Sequence, residues 1–455
     1  MKSFTSLMNI IETRKNIRFY GKKCESSMDF FTKELKDLLR VISAVSRNMK
    51  VSAYLVGGIV RDALLKIPNC DIDIVVDGNG VRFGERLARR LDARIEIHKK
   101  FMTAALALKE GQQIDIATSR VEFYYKPAQL PSVESGSIKQ DLSRRDFTIN
   151  SLALSLNRKD YGEILDFFGG REDLKNKKIK VLHKMSFIED PTRIFRAVRF
   201  EKRLGFRMDK HTEALARSAV EMGIVSRVSG VRIRDELIHI MSEEKPFNAI
   251  KRLQDLGALS KIGIMVRNGK DYKEDMEKAL NSLCKLDQYD RGKILKWRLL
   301  MAIMLKDKTA RSIELWCLKL KIRKKDMFLI KDTVTNMPKV KKALKDEFSN
   351  EYSLYNELRQ YPVELLAICH SWSGGYAKNI KKYYKRLVHV KLEISGEDLK
   401  DMGYSPSPVF KKVLQRVYRM KFNKKVSGRE EELIAAGILM NSYTHNSTQV
   451  RSRAR

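Results

Sequence analysis

The chain has 455 residues, 43% of them apolar, too many for one ordinary domain and enough for a substantial core shared by two to four of them. Lys and Arg number 90 against 56 Asp and Glu, a formal charge of +34, which points to a polyanionic partner, because basic surface captures phosphate by Coulomb attraction and counterion release. No run of about 18 apolar residues and no secretory signal is visible, so a soluble, cytoplasmic protein is expected; the five scattered cysteines, none in a CxxC pair, argue against a disulfide framework or a zinc site.

Residues 1–29 are basic, weakly patterned and set aside from the fold as an extension. Leu35, Leu38, Leu39, Ile42 and Val45 then recur at helical spacing and predict an amphipathic helix over 30–48. Between 53 and 156 the texture changes to short β-rich runs (AYLV, DIDIVV, ARIEIH, AALALK, QIDIAT, INSLALSL) with one helical pattern at Phe83–Leu91, which predicts a mixed α/β domain. Strand signals fade after Asp166 and helices dominate from about 185 onward. The tail 441–455 is poor in apolar residues and is expected to be disordered. Two basic runs, KLKIRKKD (319–326) and KNIKKYYKRLVHVK (378–391), set cations beside aromatic or apolar residues and suit backbone tracking and stacking on nucleic acid.

Five stretches carry chemistry. In YLVGGIVRDALL (54–65) an apolar run meets two glycines and a helical pattern: Gly58 lets backbone approach a ligand, and Arg61 in the first turn can fork onto phosphate oxygens. In CDIDIVV (70–76) period-two alternation puts Asp71 and Asp73 on one face, and two adjacent carboxylates repel unless a cation sits between them, as in two-metal phosphoryl transfer. A second acidic strand, IDIA (114–117), offers Asp115 as a third ligand or general base, the alternative being a structural carboxylate that pairs with Arg120 or a neighbouring turn. In DLSRRDFTIN (141–150), Arg145 can reach a triphosphate or ribose while Asp146 and Asn150 orient it.

The fifth stretch, EDPTRIFRAVRFEKR (189–203), begins with Asp190 as helix N-cap and Pro191 in the first helical position. Arg193, Arg196, Arg199 and Arg203 fall within about a third of the helix circumference, opposite Ile194, Phe195 and Val198. An Asp and an Arg in that arrangement together present an acceptor and donors to the edge of a base, which selects a nucleotide without a nucleic-acid template.

Taken in order, LVGGIVRDALL, DIDIVV, DLSRRDFTINSLAL, DFFGGREDLKNKKIKVLH and EDPTRIFRAVRFEKRLGF resemble the motifs of bacterial and eukaryotic-type tRNA nucleotidyltransferases and their poly(A) polymerase relatives, within the DNA polymerase beta superfamily. The resemblance implies an α+β fold. A nucleotidyltransferase head (30–170) would be followed by a helical neck (171–260), body (261–390) and tail (391–440). It implies addition of CMP and AMP, from CTP and ATP, to the 3′ end of tRNA, the alternatives being an A-only or CC-only enzyme, a poly(A) polymerase or, more remotely, a non-catalytic RNA-binding protein. Asp71 and Asp73 would hold Mg2+, Gly58 and Arg61 would contact the triphosphate, and Arg145, Asp190, Arg193, Arg196 and Arg199 would form the nucleotide pocket, with Asp190 and Arg193 pairing with the base. The segment 118–137 corresponds to the family's flexible loop, associated with switching from C to A addition. Two departures stand out: PSPVF (406–410) replaces the usual Gly-Pro pair of the tail, and IEIHKKFMTAALAL (95–108) fits the bacterial poly(A) polymerases poorly.

Overall fold

The computed structural model describes residues 27–98, 101–109, 111–264, 269–290, 295–344, 348, 350–372 and 375–452. Residues 1–26, most of the expected N-terminal extension, lie outside the described residues, as does Cys24.

The alternating runs form strands β1 (Ser52–Val56), β2 (Ile72–Asp77), β3 (Arg94–His98), β4 (Thr103–Ala107), β5 (Gln113–Thr118), β6 (Arg120–Phe123), β7 (Ser132–Ser135), β8 (Leu152–Ser155) and β9 (Ile164–Asp166). Seven build one mixed sheet in the order β3-β4-β5-β2-β1-β8-β9; β2 and β5 run parallel and the other neighbours antiparallel. The remaining two, β6 and β7, make a separate antiparallel pair inside the segment expected to be a flexible loop.

The first predicted helix is α1 (Lys33–Met49), capped by Thr32 and burying Leu39, Ile42 and Val45. Two more follow, α2 (Gly58–Leu64) and α3 (Gly80–Leu91), the latter inserting Phe83 and Leu87 into the core against the sheet. Gly80 opens α3 where no side chain fits: a Cβ there would stand 2.6 Å from the Thr118 backbone nitrogen and 2.8 Å from the Ala117 carbonyl carbon. That close approach lets the Gly80 N–H donate to Thr118 Oγ1 at 3.0 Å and draws α3 tight onto β5.

Helices take over beyond the sheet: α4 (Ile138–Ser143), α5 (Gly170–Lys175), α6 (Ser186–Glu189), α7 (Thr192–Leu204), α8 (Lys210–Glu221) and α9 (Gly230–Ser242), with one short parallel pair, β10 (Lys178–Ile179) and β11 (Arg207–Met208). The chain divides into two compact units, one up to Gly263 and one from Ile264. The regular elements among the described residues of the second unit are all helices, and the fold is α+β as expected.

One expectation needs correction in the second unit. The last helix runs from Gly428 to Ser452, into the segment 441–455 expected to be disordered, of which 453–455 lie outside the described residues. In the run 378–391, Tyr383 and Tyr384 are 8% and 6% exposed, packed as core on the helix Gly375–Lys385 rather than offered for stacking. Cys317 and Cys369 are buried thiols and Cys70 and Cys284 exposed ones, and no helix among the described residues is long and apolar enough to cross a membrane.

Gly80→Ala forces backbone rather than a flexible side chain to move, an overpacking cost of roughly 1–3 kcal/mol that exceeds the gain in helix propensity. The thermal midpoint of the variant is expected to fall by several degrees in calorimetry, and an unchanged or raised midpoint would contradict this packing.

Candidate functional site

Parallel pairing of β2 with β5 sets Asp73 directly opposite Asp115, and Asp71 follows two residues earlier on the same side. Asp71 and Asp115 are exposed and Asp73 is half-buried. Burial pushes the Asp73 carboxyl up to about 6; Asp115 and Asp71 push the same way, and Arg145 opposes them. Arg120 does not pair with Asp115: it contacts Glu122 at 3.1 Å and donates to the Phe101 carbonyl at 3.5 Å, while Asp115 accepts from Gln113 at 3.1 Å. Negative charge is thus concentrated at one point of a protein whose net charge is +34. The donors are all oxygen, two in line and one across, which fits a hard divalent cation completing its shell with water and phosphate oxygens. Among the described residues no group of three such side chains is close enough to hold a metal ion by itself.

Beside the carboxylates, β1 ends in the glycine pair. Gly57 has φ +76, a backbone conformation that L side chains rarely adopt, and a Cβ there would stand 2.9 Å from Arg145 Nη1 and 3.8 Å from Asp73 Oδ2. Glycine therefore keeps open the gap between a cation and the raised carboxylate. Gly58 begins α2 on the wall of the cleft. Arg61 is also in that wall, but it is 3% exposed and its N–H groups are committed to Asp62 at 2.7 Å and Asn150 at 2.5 Å, with its guanidinium 5.0 Å from the centre of the Phe200 ring.

Arg145 reaches the gap from the end of α4. Its Nη2 lies 3.1 Å from Asp141 Oδ2, and Arg144 grips the other oxygen of the same carboxylate at 2.6 Å. Asp141 is fully buried, and although burial alone would raise its carboxyl, Arg145 and Arg144 hold it below the ordinary value. The i+3 and i+4 spacing of the two arginines from Asp141 was the sequence signal for this clamp.

Across the cleft stands α7. Its regular turns begin at Thr192, one residue later than expected, and Asp190 acts as its cap, accepting from the Thr192 N–H at 3.0 Å and hydroxyl at 2.5 Å. The other oxygen of Asp190 pairs with Arg232 of α9 at 2.6 Å. Arg193 is buried, donating to Ser186 Oγ at 2.8 Å and the Arg144 carbonyl at 2.7 Å. Arg196 binds the buried Asp146 at 2.7 Å, and Arg196 and Arg199 share Glu236 of α9 at 3.8 and 3.7 Å. The Asp146–Arg196 contact keeps Asp146 ionised against its burial and raises the arginine's hold on its proton; burial pushes Glu236 up and Arg199 down. The stripe that reads as free of acids in sequence is thus interleaved with acids in space.

Together these groups line a cleft of about 1130 Å³, cationic along α7 and α4 and anionic on the β2–β5 floor. All ten expected site residues line it, although Arg61 and Arg193 are held in its wall by protein partners. Asp141 was reached by the sequence only as part of a motif, and Glu236 and Arg232 not at all, since they arrive on a helix some forty residues downstream of α7's start with no local mark.

Two family models match the chain: the poly A polymerase head domain over residues 53–180, and a probable RNA and SrmB-binding site of polymerase A over 205–262. An A-adding tRNA nucleotidyltransferase of Geobacter sulfurreducens is 35% identical over 432 residues, 89% of this chain, although the chain spans only 47% of that relative. Another A-adding tRNA nucleotidyltransferase, from Halalkalibacterium halodurans, is 31% identical over 84% of this chain and 87% of its own length. Among solved structures, a Thermotoga maritima CCA-adding enzyme complexed with tRNA superposes with a TM-score of 0.70 at 32% identity, over 91% of this chain and 97% of that one.

The raised Asp73 carboxyl sets a pH dependence. With the folded value near 6 and the ordinary value 3.8, the folded state binds the proton more tightly than the unfolded chain between them, so stability is lost as pH rises from about 4 to about 6. Asp73→Asn is expected to raise the thermal midpoint in divalent-free buffer at pH 7.5, by the equivalent of about 1–3 kcal/mol, and to change it little near pH 4. Equal effects at both pH values would contradict the assignment.

Proposed function

The chain belongs to the tRNA nucleotidyltransferase family, and on that premise we propose that it adds nucleotides, the terminal A among them, to the 3′ end of tRNA without a nucleic-acid template. The observation that carries this reading is that the Asp73–Asp115 row, the Gly57–Arg145 gap and the arginines of α7 line one cleft. The triphosphate lies against Arg145 and the glycine turn, where charge-assisted hydrogen bonds and the free N–H groups opening α2 are available. The base meets Asp190 and Arg193. Their protein contacts fix the planes of both groups while leaving lone pairs on the carboxylate and N–H donors on the guanidinium for a base edge, so selectivity is built in before the nucleotide arrives. Arg196 and Arg199 supply positive potential behind this pair.

Asp115, exposed beside Asp73, takes the proton of the acceptor 3′-hydroxyl. Divalent metal, Mg2+ in this proposal, would be held by Asp71 and Asp73 and supplies a lowered pKa for the attacking hydroxyl and neutralisation of triphosphate charge. Positioning and charge neutralisation carry most of the rate.

Two product ranges follow from the relatives. The A-adding proteins align over 89% and 84% of this chain, which supports A addition to a tRNA already ending in CC; the likeness to a CCA-adding enzyme supports the broader synthesis of CCA from CTP and ATP. Purified protein on tRNAs ending before the first C, after one C and after both, with CTP, ATP or both, separates them. Complete CCA on all three substrates establishes the broader range and A on the last alone the narrower one. Long A tails on generic RNA, or no incorporation, would overturn both.

Asp71→Ala combined with Asp73→Ala is expected to lower turnover on the order of a thousand-fold or more while tRNA affinity in a filter-binding assay stays close to wild type; retained turnover would refute the metal assignment. Asp190→Ala is expected to erode discrimination among the four nucleoside triphosphates more than tRNA affinity, and unchanged selectivity would refute the base-reading role.

A further inference from the structure

In-line displacement places the entering hydroxyl and the leaving pyrophosphate on opposite sides of the reacting phosphorus. If the triphosphate lies toward Gly57, Arg145 and α7, the acceptor strand must come from the other side of Asp115, where the sheet continues as β4 and β3. The register carries one row across these strands, from Asp73 through Asp115 and Ala105 to Glu96. Ala104 and Leu106 of β4 point into the core, so Thr103 and Ala105 face the cleft and leave the floor beyond Asp115 low.

At the head of β4 stands Phe101, in the wall of the same cleft and 52% exposed. The turn that puts it there is costly to form: Met102 has φ +53, in the left-handed region that a non-glycine residue seldom enters. Main-chain contacts hold the turn, the Thr118 N–H donating to the Met102 carbonyl at 3.1 Å and the Arg120 guanidinium to the Phe101 carbonyl at 3.5 Å. A phenyl ring kept out of the core by a braced, unfavourable turn, at the open side of a charged cleft, suits a flat apolar ligand group.

We propose that Phe101 is a positioning residue that stacks on the base of the acceptor's 3′-terminal nucleotide, with that nucleotide's ribose over the Thr103–Ala105 floor and its 3′-oxygen turned to Asp115. This rests on the tRNA-end reading above and deepens it. Every base has a π-face, so the contact contributes hold on the acceptor end and leaves the choice of incoming nucleotide to Asp190 and Arg193.

The test uses the full chain and two readouts. In steady-state incorporation at saturating ATP, Phe101→Leu is expected to lower kcat/KM for tRNA about ten-fold, the scale of one lost base–aromatic stack, with KM for ATP unchanged. Phe101→Tyr and Phe101→Trp are expected to keep wild-type values. In a binding assay without turnover, a tRNA whose terminal base is 2-aminopurine is expected to lose fluorescence on wild-type protein and much less on Phe101→Leu. Equal quenching by wild type and Phe101→Leu, or a loss of kcat/KM in the Tyr variant matching that in the Leu variant, would overturn the proposal. Absence of incorporation by the wild type would sink the tRNA-end reading itself, and the quenching comparison would still decide whether Phe101 stacks on an RNA end.

Discussion

Three carboxylates converge on one stretch of sheet, and the first unit is arranged around the cost of keeping them there. Asp73 lies on a strand whose Ile72, Ile74, Val75 and Val76 are all buried, with Asp115 opposite on the parallel neighbour. Desolvation and like charge both disfavour its ionised form, which is why its carboxyl is pushed up to about 6. A folded protein keeps such a repulsive arrangement where a bound cation relieves it, and the alternating sheet geometry is what holds the groups in register.

The opposing wall solves the converse problem. Seven arginines line the cleft from the end of α4, from α7 and from α9, and left alone they would repel one another and swing freely. Asp141, Asp146 and Glu236 each bridge two arginines or fix one against its neighbours, so the cations stand in set positions before any phosphate arrives. Such buried pairs add little net stability, since desolvation offsets most of the Coulomb gain, but they remove much of the ordering cost of binding. Gly57 separates the two charge systems: any side chain there would meet both Arg145 and Asp73.

Local pattern made much of this legible in the sequence. The alternation in DIDIVV and QIDIAT is a property of each strand by itself, so the faces of Asp71, Asp73 and Asp115 could be read without knowing the partner strand. The same holds for Asp190, whose cap is made within two residues. Hidden from sequence were pairings between distant segments. Arg193 reads as one member of an exposed stripe, but Ser186 and the Arg144 carbonyl bury it; Arg61 reads as a phosphate fork, but Asp62 and Asn150 occupy it. Glu236 and Arg232 sit on a helix with no local mark of their role, and β6 and β7 are too short and polar to announce themselves within 118–137.

The central claim is that the Asp71–Asp73 pair exists to hold divalent metal together with a triphosphate. The most direct measurement is Mn2+ binding followed by electron paramagnetic resonance, with a non-hydrolysable ATP analogue present, comparing the wild type with Asp71→Asn plus Asp73→Asn. The account predicts at least about ten-fold weaker Mn2+ binding in the variant, the loss expected when a carboxylate ligand's charge is removed, with the fold intact by circular dichroism. Equal affinity in the two proteins would contradict it.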